Sequence, residues 1–294
     1  MRSKATSCFL GFSWLAVLST LAAVFLLVGF LLYRSWYVFN LQLFFGDASP
    51  WQALIGATPV WHGIWPACVG TFYLVCLSSL LALPLGIGSG IYLAQFAGGL
   101  PKRWISLAVE ILAGIPSILM GLFGFALILF LRQTLLPQAN TGLLLAAGCI
   151  TLLILPYLIL STQTSLEGLP DALTLAGLSL GFNTWQNTRY VLLPAAGRGI
   201  LSGVILSVGR AAEDTAVILL TGVVANAGLP ARLTDKFEAL PFTIFYLAAE
   251  HRTEMELDRG FGAALVLLLI TGVLFLGAHL LLRTMVRHDK PIGK

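Results

Sequence analysis

The sequence predicts an all-α membrane protein with six transmembrane helices, and two observations support this prediction. Of the 294 residues, 58% are hydrophobic and only 10% are charged, and the mean hydropathy is +0.91. A soluble domain carries about 25% charged residues, so this composition indicates a lipid environment. Six apolar stretches also reach the length of about 20 residues that crosses a bilayer as a helix. They are residues 9–33, 67–96, 104–131, 141–163, 199–225 and 261–282.

The first apolar stretch follows Arg2 and Lys4 and is longer than the apolar core of a signal peptide. We therefore expect a retained anchor helix. The expected division of the chain is an anchor helix with an extracytoplasmic segment, a transmembrane domain with one large cytoplasmic loop, and a cytoplasmic tail: residues 1–66, 67–286 with loop 164–198, and 287–294.

The distribution of Lys and Arg predicts that both termini are cytoplasmic. Six crossings leave both ends on one side, and the loops of that side carry ten of these residues against six on the other. Cytoplasmic loops are enriched in Lys and Arg. The ten are Arg2, Lys4, Lys102, Arg103, Arg189, Arg198, Arg283, Arg287, Lys290 and Lys294. The opposite six are Arg34, Arg132, Arg232, Lys236, Arg252 and Arg259.

Several functional classes do not fit the sequence. The four cysteines lack C-x-x-C spacing, so we expect neither a metal site nor a disulfide framework, and no cofactor. The pattern G-x-x-x-x-G-K-[ST] is absent, so the chain does not split ATP through a P-loop. The net charge of +4 is small, and we expect no nucleic acid partner. These features favour a membrane component that is not itself an enzyme.

A polar interruption between the fourth and fifth apolar stretches predicts a short helix. Proline suits the first turn of a helix and glycine the position just after its end, so Pro170 and Gly181 bracket a helix over 170–180. Leu173, Ala176 and Leu180 recur at helical spacing, with two further leucines beside them. This apolar face predicts either docking into a protein groove or an amphipathic helix that rests on the membrane.

The spacing G-x9-[IV]-x-L-P from Gly181 to Pro194 resembles the cytoplasmic coupling loop of ABC-importer permeases. In that family the loop docks on a separate ATP-binding subunit. The usual Glu-Ala-Ala is replaced here by Leu175-Ala176-Gly177, which removes a carboxylate from the docking surface. The coupling residues that the resemblance implies are Pro170, Leu173, Leu175, Ala176, Gly177, Leu178, Gly181 and Pro194.

The fifth apolar stretch contains a cluster of charges near its middle. Arg210 lies ten residues after Ile200, which is about 15 Å along a helix and near the centre of a core about 30 Å thick. Glu213 and Asp214 follow at i+3 and i+4, so all three can share a helix face. A charge at this depth costs about 2.5–3.5 kcal/mol and should face the bundle interior or water. The cluster predicts either an anion gate, because guanidinium matches oxyanions, or an internal salt bridge that orients the helix.

Two further strings narrow the resemblance to phosphate-type ABC permeases. Residues 112–124 resemble their third-helix signature, and Gly114 and Pro116 within it are expected to loosen one continuous third span. The family's Arg-Ala-x-Gly-Glu-Thr corresponds to residues 210–215, where Glu213 replaces a glycine. The resemblance implies a type I ABC-importer permease fold. The pathway residues that it implies are Ser117, Arg210, Glu213, Asp214 and Thr215.

The resemblance implies a permease subunit that moves phosphate inward across a bacterial inner membrane. The ATP is expected to be hydrolysed by a separate ABC subunit. The other expected partners are a second permease subunit, similar or identical, and an extracytoplasmic substrate-binding protein. Because Glu213 departs from the family pattern, a permease for another oxyanion remains an alternative, as does an ATP-independent secondary anion carrier.

Overall fold

The computed structural model describes residues 4–56 and 58–287, which are mostly helical. Six helical stretches are long and apolar enough to cross a membrane. In chain order the helices are α1 Lys4–Ser35, α2 Leu41–Phe45, α3 Pro50–Ile55, α4 Trp65–Gln95, α5 Gly99–Ala113, α6 Ser117–Thr134, α7 Leu143–Glu167, α8 Asp171–Ser179, α9 Thr184–Asn187, α10 Leu193–Glu213, α11 Ala216–Thr221, α12 Leu240–Glu250 and α13 Glu254–Arg287. The expected tail, 287–294, lies outside the described residues apart from Arg287.

Helix α7 lies at the centre of the bundle and packs closely on α4. Small residues of α4 face it at every fourth position and are buried: Ser78, Ala82, Gly86 and Gly90. Side chains added at the two glycines would overlap residues of α7, so the glycines allow the helices to approach. Small residues at four-residue spacing support close helix packing in lipid.

Helix α10 also packs closely on α7, from another side, and glycines again lie at the contact. Gly199 and Gly203 lie against Ser165 and Ser161, respectively, of α7. The Ser161 hydroxyl donates a hydrogen bond of 3.2 Å to the carbonyl oxygen of Gly199. The position of α10 is therefore set by direct backbone approach to α7.

The first helix is peripheral. No residue from Phe9 to Arg34 is buried within the chain. Its contacts with α13 are an edge-on pair of Phe30 and Phe261, with ring centroids 5.4 Å apart, and ion pairs of Arg34. The Arg34 guanidinium lies 3.0 Å from Asp258 and 3.1 Å from Glu254. An apolar helix with so little packing suits a lipid environment.

The segment between α11 and α12 closes one end of the bundle. Phe237 is fully buried, and backbone carbonyls of this region accept hydrogen bonds from the start of α7. The N–H of Leu143 donates to Asp235 at 3.0 Å and that of Leu144 to Leu233 at 2.7 Å. We call this end the α12 end, and the opposite end, which carries α8, the α8 end.

The prediction that the third span, 104–131, is one continuous helix is wrong. The chain leaves helical geometry at Gly114, Ile115 and Pro116, and α5 and α6 are separate helices. Proline has no N–H and disfavours helical geometry in the residue before it, which explains the break. The part long enough to span is Ser117–Thr134 alone.

The fifth span also differs from the prediction at both ends. Its helical stretch begins at Thr184, within the region expected to be loop, and ends at Glu213. Asp214 is extended, with ψ of 118°, and the short helix α11 follows. The large cytoplasmic loop that the sequence predicts is therefore mostly helical, and non-helical geometry is limited to 168–170 and 180–183.

A π-helical turn, Thr188–Leu192, joins α9 to α10. Pro194 lies four residues after Tyr190, where an α-helix would bring its ring against the Tyr190 carbonyl group and lack an N–H donor. A wider turn relieves both problems, and π turns are a known cause of helix bends. Helix α9 begins with a capping box in which Asn183 and Gln186 exchange hydrogen bonds.

Two glycines of α4 test the closure of the α12 end. A side chain at Gly70 would overlap the Glu238 carbonyl group, whereas a Cβ at Gly88 meets no atom within 4 Å. We expect Gly70→Ala to lower the free energy of unfolding by about 1–3 kcal/mol because it displaces the closing segment. Gly88→Ala should not lower it. Thermal unfolding of both purified variants measures the difference, and equal midpoints would contradict the proposed closure.

Candidate functional site

Helices α6 and α11 run side by side in the same direction. A Cβ at Gly121 would come within 3.0 Å of the Ala216 carbonyl oxygen, and one at Gly124 within 2.9 Å of the Thr221 side chain. Later residues of α6 thus meet later residues of α11. The two helices are therefore in parallel register.

This register places the two helix breaks at one level. Ser117, half-buried, begins α6 one turn before Gly121. Asp214 and Thr215, also half-buried, immediately precede α11. Because a turn advances about 5.4 Å, Ser117 and the pair 214–215 lie at similar depth. The structure thus gathers four of the five predicted pathway residues around one level, with Arg210 about one turn below.

Arg210 is exposed within the single chain and contacts an aromatic ring. Its guanidinium carbon lies 5.8 Å from the ring centroid of Tyr157 on α7. Among the described residues the ion pairs involve only Arg34 and Lys102, so Arg210 has no carboxylate partner. The internal salt bridge considered from the sequence is therefore not formed. A cation over a tyrosine ring keeps its hydrogen-bond donors available.

Asp214 has a different role from the one that a shared helix face suggests. Because α10 ends at Glu213, Asp214 leaves the face that carries Arg210. Its Oδ1 accepts a hydrogen bond of 2.8 Å from the N–H of Val217. A carboxylate that accepts a first-turn N–H stabilises the start of a helix, here α11.

Glu213 points toward α13 rather than toward Tyr157. It lines a cavity of about 490 Å³ whose other walls are residues of α12 and α13, including Ile244, Leu267 and Thr271. Gly209, one turn earlier, lies against Phe275 of α13. The carboxylate and the guanidinium thus diverge around the helix.

One face of α10 is exposed from end to end. At about 100° per residue its members fall within a sector about 120° wide, between the helices that carry Tyr157 and Phe275. We call it the exposed face of α10, and it consists of Ala195, Arg198, Ser202, Leu206, Arg210 and Glu213. Two arginines and a glutamate are costly against lipid tails. This face therefore requires water or another protein against it.

The predicted surface helix is α8, with Pro170 at its N-cap position and Gly181 just beyond it in left-handed geometry, φ 83°. These features agree with the expected bounds. The expected outward face differs at one residue. Leu173 is half-buried and packs with Leu192 and Ala196 of its own bundle. Of the expected apolar face, only Leu173 faces inward, whereas Ala176 and Leu180, which is 75% exposed, face outward.

The exposed leucines within α8 are Leu175, which is 62% exposed, and Leu178, which is 46% exposed, and Leu180 at the C-cap position is exposed as well. Gly177 is buried because a side chain there would overlap Asn187. The Asn187 amide donates a hydrogen bond of 3.1 Å to the Thr174 carbonyl oxygen. Helix α8 is therefore held against the end of α9, next to the π turn, and its residues Leu175 and Leu178 remain exposed.

Tyr157 is the site residue that the sequence reasoning missed. It is the only aromatic residue in the predicted span 141–163, and it follows Pro156. An isolated aromatic side chain in an aliphatic span was the available signal. Its partner was not predictable, because the contact with Arg210 joins helices about fifty residues apart in the chain.

Residues 86–288 match the family of binding-protein-dependent transport system inner membrane components. The chain belongs to this family. The matched range contains α8, the exposed face of α10 and both helix breaks. Members of the family are membrane components of transport systems, and the chain is a permease subunit of an ABC importer.

Several relatives are phosphate permeases by name. The phosphate transport system permease protein PstC of Mesorhizobium japonicum is 33% identical over 205 residues, which is 63% of this chain and 61% of that protein. PstA 1 of Mycobacterium tuberculosis is 30% identical over 220 residues, 74% of this chain and 70% of that protein. PstA of Haemophilus influenzae is 30% identical over 71% of this chain and 72% of its own length. The match thus spans about three fifths to three quarters of these relatives.

Solved structures show the fold. A chain of a bacterial ABC transporter involved in the import of the acidic polysaccharide alginate superposes with a TM-score of 0.62 at 14% identity, covering 98% of this chain and 100% of that one. A chain of the inward-facing MetNI methionine ABC transporter gives 0.57 at 19% identity, covering 76% and 97%. The type I ABC-importer permease fold predicted from the sequence is confirmed.

Substitutions at Asp214 test its capping role. Asparagine also caps helices, whereas alanine does not, and loss of a cap costs about 0.5–2 kcal/mol. We expect Asp214→Ala to lower the midpoint of thermal unfolding and Asp214→Asn to leave it nearly unchanged. Both variants lose the negative charge of Asp214, so a difference between their unfolding midpoints reports the loss of the capping hydrogen bond alone. An equal loss in the two variants would show that Asp214 acts through its charge instead.

Proposed function

We propose that the chain is one of two permease subunits of an ABC importer that carries phosphate into the cell. The observation that carries this proposal is the exposed face of α10, with Arg210 near the level of two helix breaks and without a carboxylate partner. The names of relatives that are 30–33% identical support phosphate as the substrate.

A second permease subunit gives this face a suitable environment. Lipid does not, because an arginine at mid-membrane costs about 2.5–3.5 kcal/mol there. If two such faces oppose each other across a two-fold axis, the arginines line a polar path between subunits. The binding-protein-dependent family supports an extracytoplasmic binding protein that delivers the substrate.

Within this path each residue has a chemical role. The guanidinium of Arg210 offers several N–H donors in a planar fork, which matches two oxygens of a tetrahedral oxyanion. Tyr157 holds the cation without consuming a donor. The hydroxyl groups of Ser117 and Thr215, at nearly the same level, supply neutral hydrogen bonds. Glu213 repels the anion from the α13 side and so limits how tightly it binds.

The α8 end is proposed to be cytoplasmic. Lys102, Arg103, Arg189 and Arg198 lie toward this end, which agrees with the positive-inside rule and places both termini inside. The ATP-binding subunit then receives Leu175 and Leu178 in a groove. Closure of the ATP-binding subunits on nucleotide would push α8 and, through Asn187 and the π turn, the helix that carries Arg210.

Glu213 is the observation that favours a second candidate, a permease for a different oxyanion. It stands where phosphate-type permeases have glycine and adds a negative charge beside the path. A more weakly charged oxyanion would be repelled less than phosphate. The alternatives differ in substrate rather than in mechanism.

Reconstitution tests the proposal. The complex, purified with its ATP-binding and second permease subunits, is placed in vesicles, with the binding protein at the extracytoplasmic face and ATP at the other. Uptake of labelled phosphate that requires ATP is the expected result. Preferential uptake of a singly charged oxyanion such as nitrate would assign another oxyanion. Uptake driven by an ion gradient without ATP would identify a secondary carrier and refute the proposal.

Substitutions on α8 test the coupling surface. Leu175→Asp and Leu178→Asp each place a charge in an apolar groove, which costs several kcal/mol, so co-purification of the ATP-binding subunit should fall at least about tenfold. Leu135→Asp is the matched control, because Leu135 is 70% exposed but lies at the α12 end. Leu173→Asp should instead lower the stability of the permease. Normal attachment in both Leu175 and Leu178 variants would contradict the assignment.

Substitutions at Arg210 test the anion path. Arg210→Gln should abolish uptake while the yield of folded complex is retained, because no internal carboxylate loses its partner. Tyr157→Leu should raise the half-saturating phosphate concentration about 2- to 5-fold, as expected for loss of a cation–π contact, and Tyr157→Phe should not. Labelled phosphate uptake and complex yield are measured together. Recovery of uptake in the double variant Arg210→Gln, Asp214→Asn would contradict the gate and indicate a structural pair.

A further inference from the structure

A second polar cavity lies at the α12 end, away from the exposed face of α10. Its volume is about 250 Å³, and its walls come from the chain before α4, the loop after α11, α12 and the start of α13. Its lining includes the acids Glu238, Glu250 and Glu256 and the arginines Arg252 and Arg259. Nothing in the transport path described above uses this cavity.

Glu238 is the buried charge of this cavity. It is 7% exposed, and among the described residues no other charged side chain is buried. Its Oε1 accepts a hydrogen bond of 2.9 Å from the N–H of Gly228, and no Lys, Arg or His of the described chain forms an ion pair with it. Burial raises the pKa of this carboxyl group, against the lowering effect of the N–H groups of Gly228 and Ala227. A buried carboxylate without a counter-charge is costly.

Two arginines of the cavity wall, Arg252 and Arg259, act on another carboxylate. The backbone N–H of Arg252 donates a hydrogen bond of 2.7 Å to Glu256, and the charges of Arg252 and Arg259 act on the same group. Glu250 is exposed. Glu238 is therefore the buried acid of the cavity, and it forms no ion pair with a cation of the described chain.

The cavity wall has two further features, a pair of aromatic rings and two residues with positive φ. Phe242 and Tyr246 stack with centroids 6.1 Å apart, and aromatic rings attract cations. His62 and Asn226 have positive φ, 63° and 56°, and both line the cavity. Among the described residues no other non-glycine residue has this geometry. Such backbone strain is commonly found where a structure is organised for binding.

We propose that this cavity receives a Lys or Arg side chain of the extracytoplasmic binding protein, which pairs with Glu238. The proposal rests on the proposed function for the identity of the partner. A metal ion is a poorer occupant, because the described residues contain no group of three His, Cys, Asp or Glu that could hold one. The cavity volume, the buried carboxylate and the ring pair all fit a cationic side chain.

The first experiment uses a small probe and the purified full-length chain. N-acetyl-arginine amide at millimolar concentration should raise the midpoint of thermal unfolding, whereas the neutral isostere N-acetyl-citrulline amide should not. Glu238→Gln should remove the response. Asp47→Asn, an exposed acid of the same end outside the cavity, should retain it. An unchanged response in Glu238→Gln would overturn the proposal.

The second experiment measures the dissociation constant of the binding protein of the same transport system for the reconstituted complex, without measuring uptake. Glu238→Gln should weaken association at least about tenfold, and Asp47→Asn should not. If the probe response depends on Glu238 but association does not, the cavity binds a free organic cation and the docking proposal is wrong. Failure of phosphate uptake would reject the proposed substrate and leave this dissociation constant to decide the docking question.

Discussion

Close contact of α7 with small residues on two neighbours is the constraint on which the rest of the structure depends. Gly86 and Gly90 of α4 and Gly199 and Gly203 of α10 bring these backbones against α7. In lipid, helices associate by packing and hydrogen bonding rather than by leaving water, so such contacts are a principal source of cohesion. Three helices held this closely form a rigid centre on which the breaks and exposed faces are placed.

This rigid centre determines which side of α10 is free. The side of α10 with Gly199 and Gly203 is committed to α7, and the exposed face of α10 begins next to it around the helix. Arg210 lies at the edge of the free side, where α7 still offers Tyr157. The arrangement leaves the cation with an aromatic neighbour but without an internal carboxylate. Packing thus explains why Arg210 remains without a carboxylate partner within the described chain.

The sequence alone predicts features that depend on local chemistry and length. Six spans follow from hydropathy, and the bounds of α8 follow from Pro170 and Gly181. Gly114 and Pro116 predict a loosened third span but not its division into two helices, and the charge cluster at 210–214 gives no local signal that α10 ends at Glu213. The side on which Leu173 lies depends on which helix α8 meets, and that contact is distant in sequence. Side-chain partners across helices were missed for the same reason.

The π turn between α9 and α10 sets the angle between two exposed surfaces, the leucines of α8 and the exposed face of α10. One extra residue in a turn changes the phase of everything beyond it by about 100°. The leucines of α8 and the exposed face of α10 are therefore aligned by this turn, which Pro194 favours, rather than by either surface itself. A permease lineage that gained or lost this turn would keep both surfaces intact and change only their relative orientation. The relative rotation of α8 and α10 can therefore change in evolution without any change in the residues of either surface.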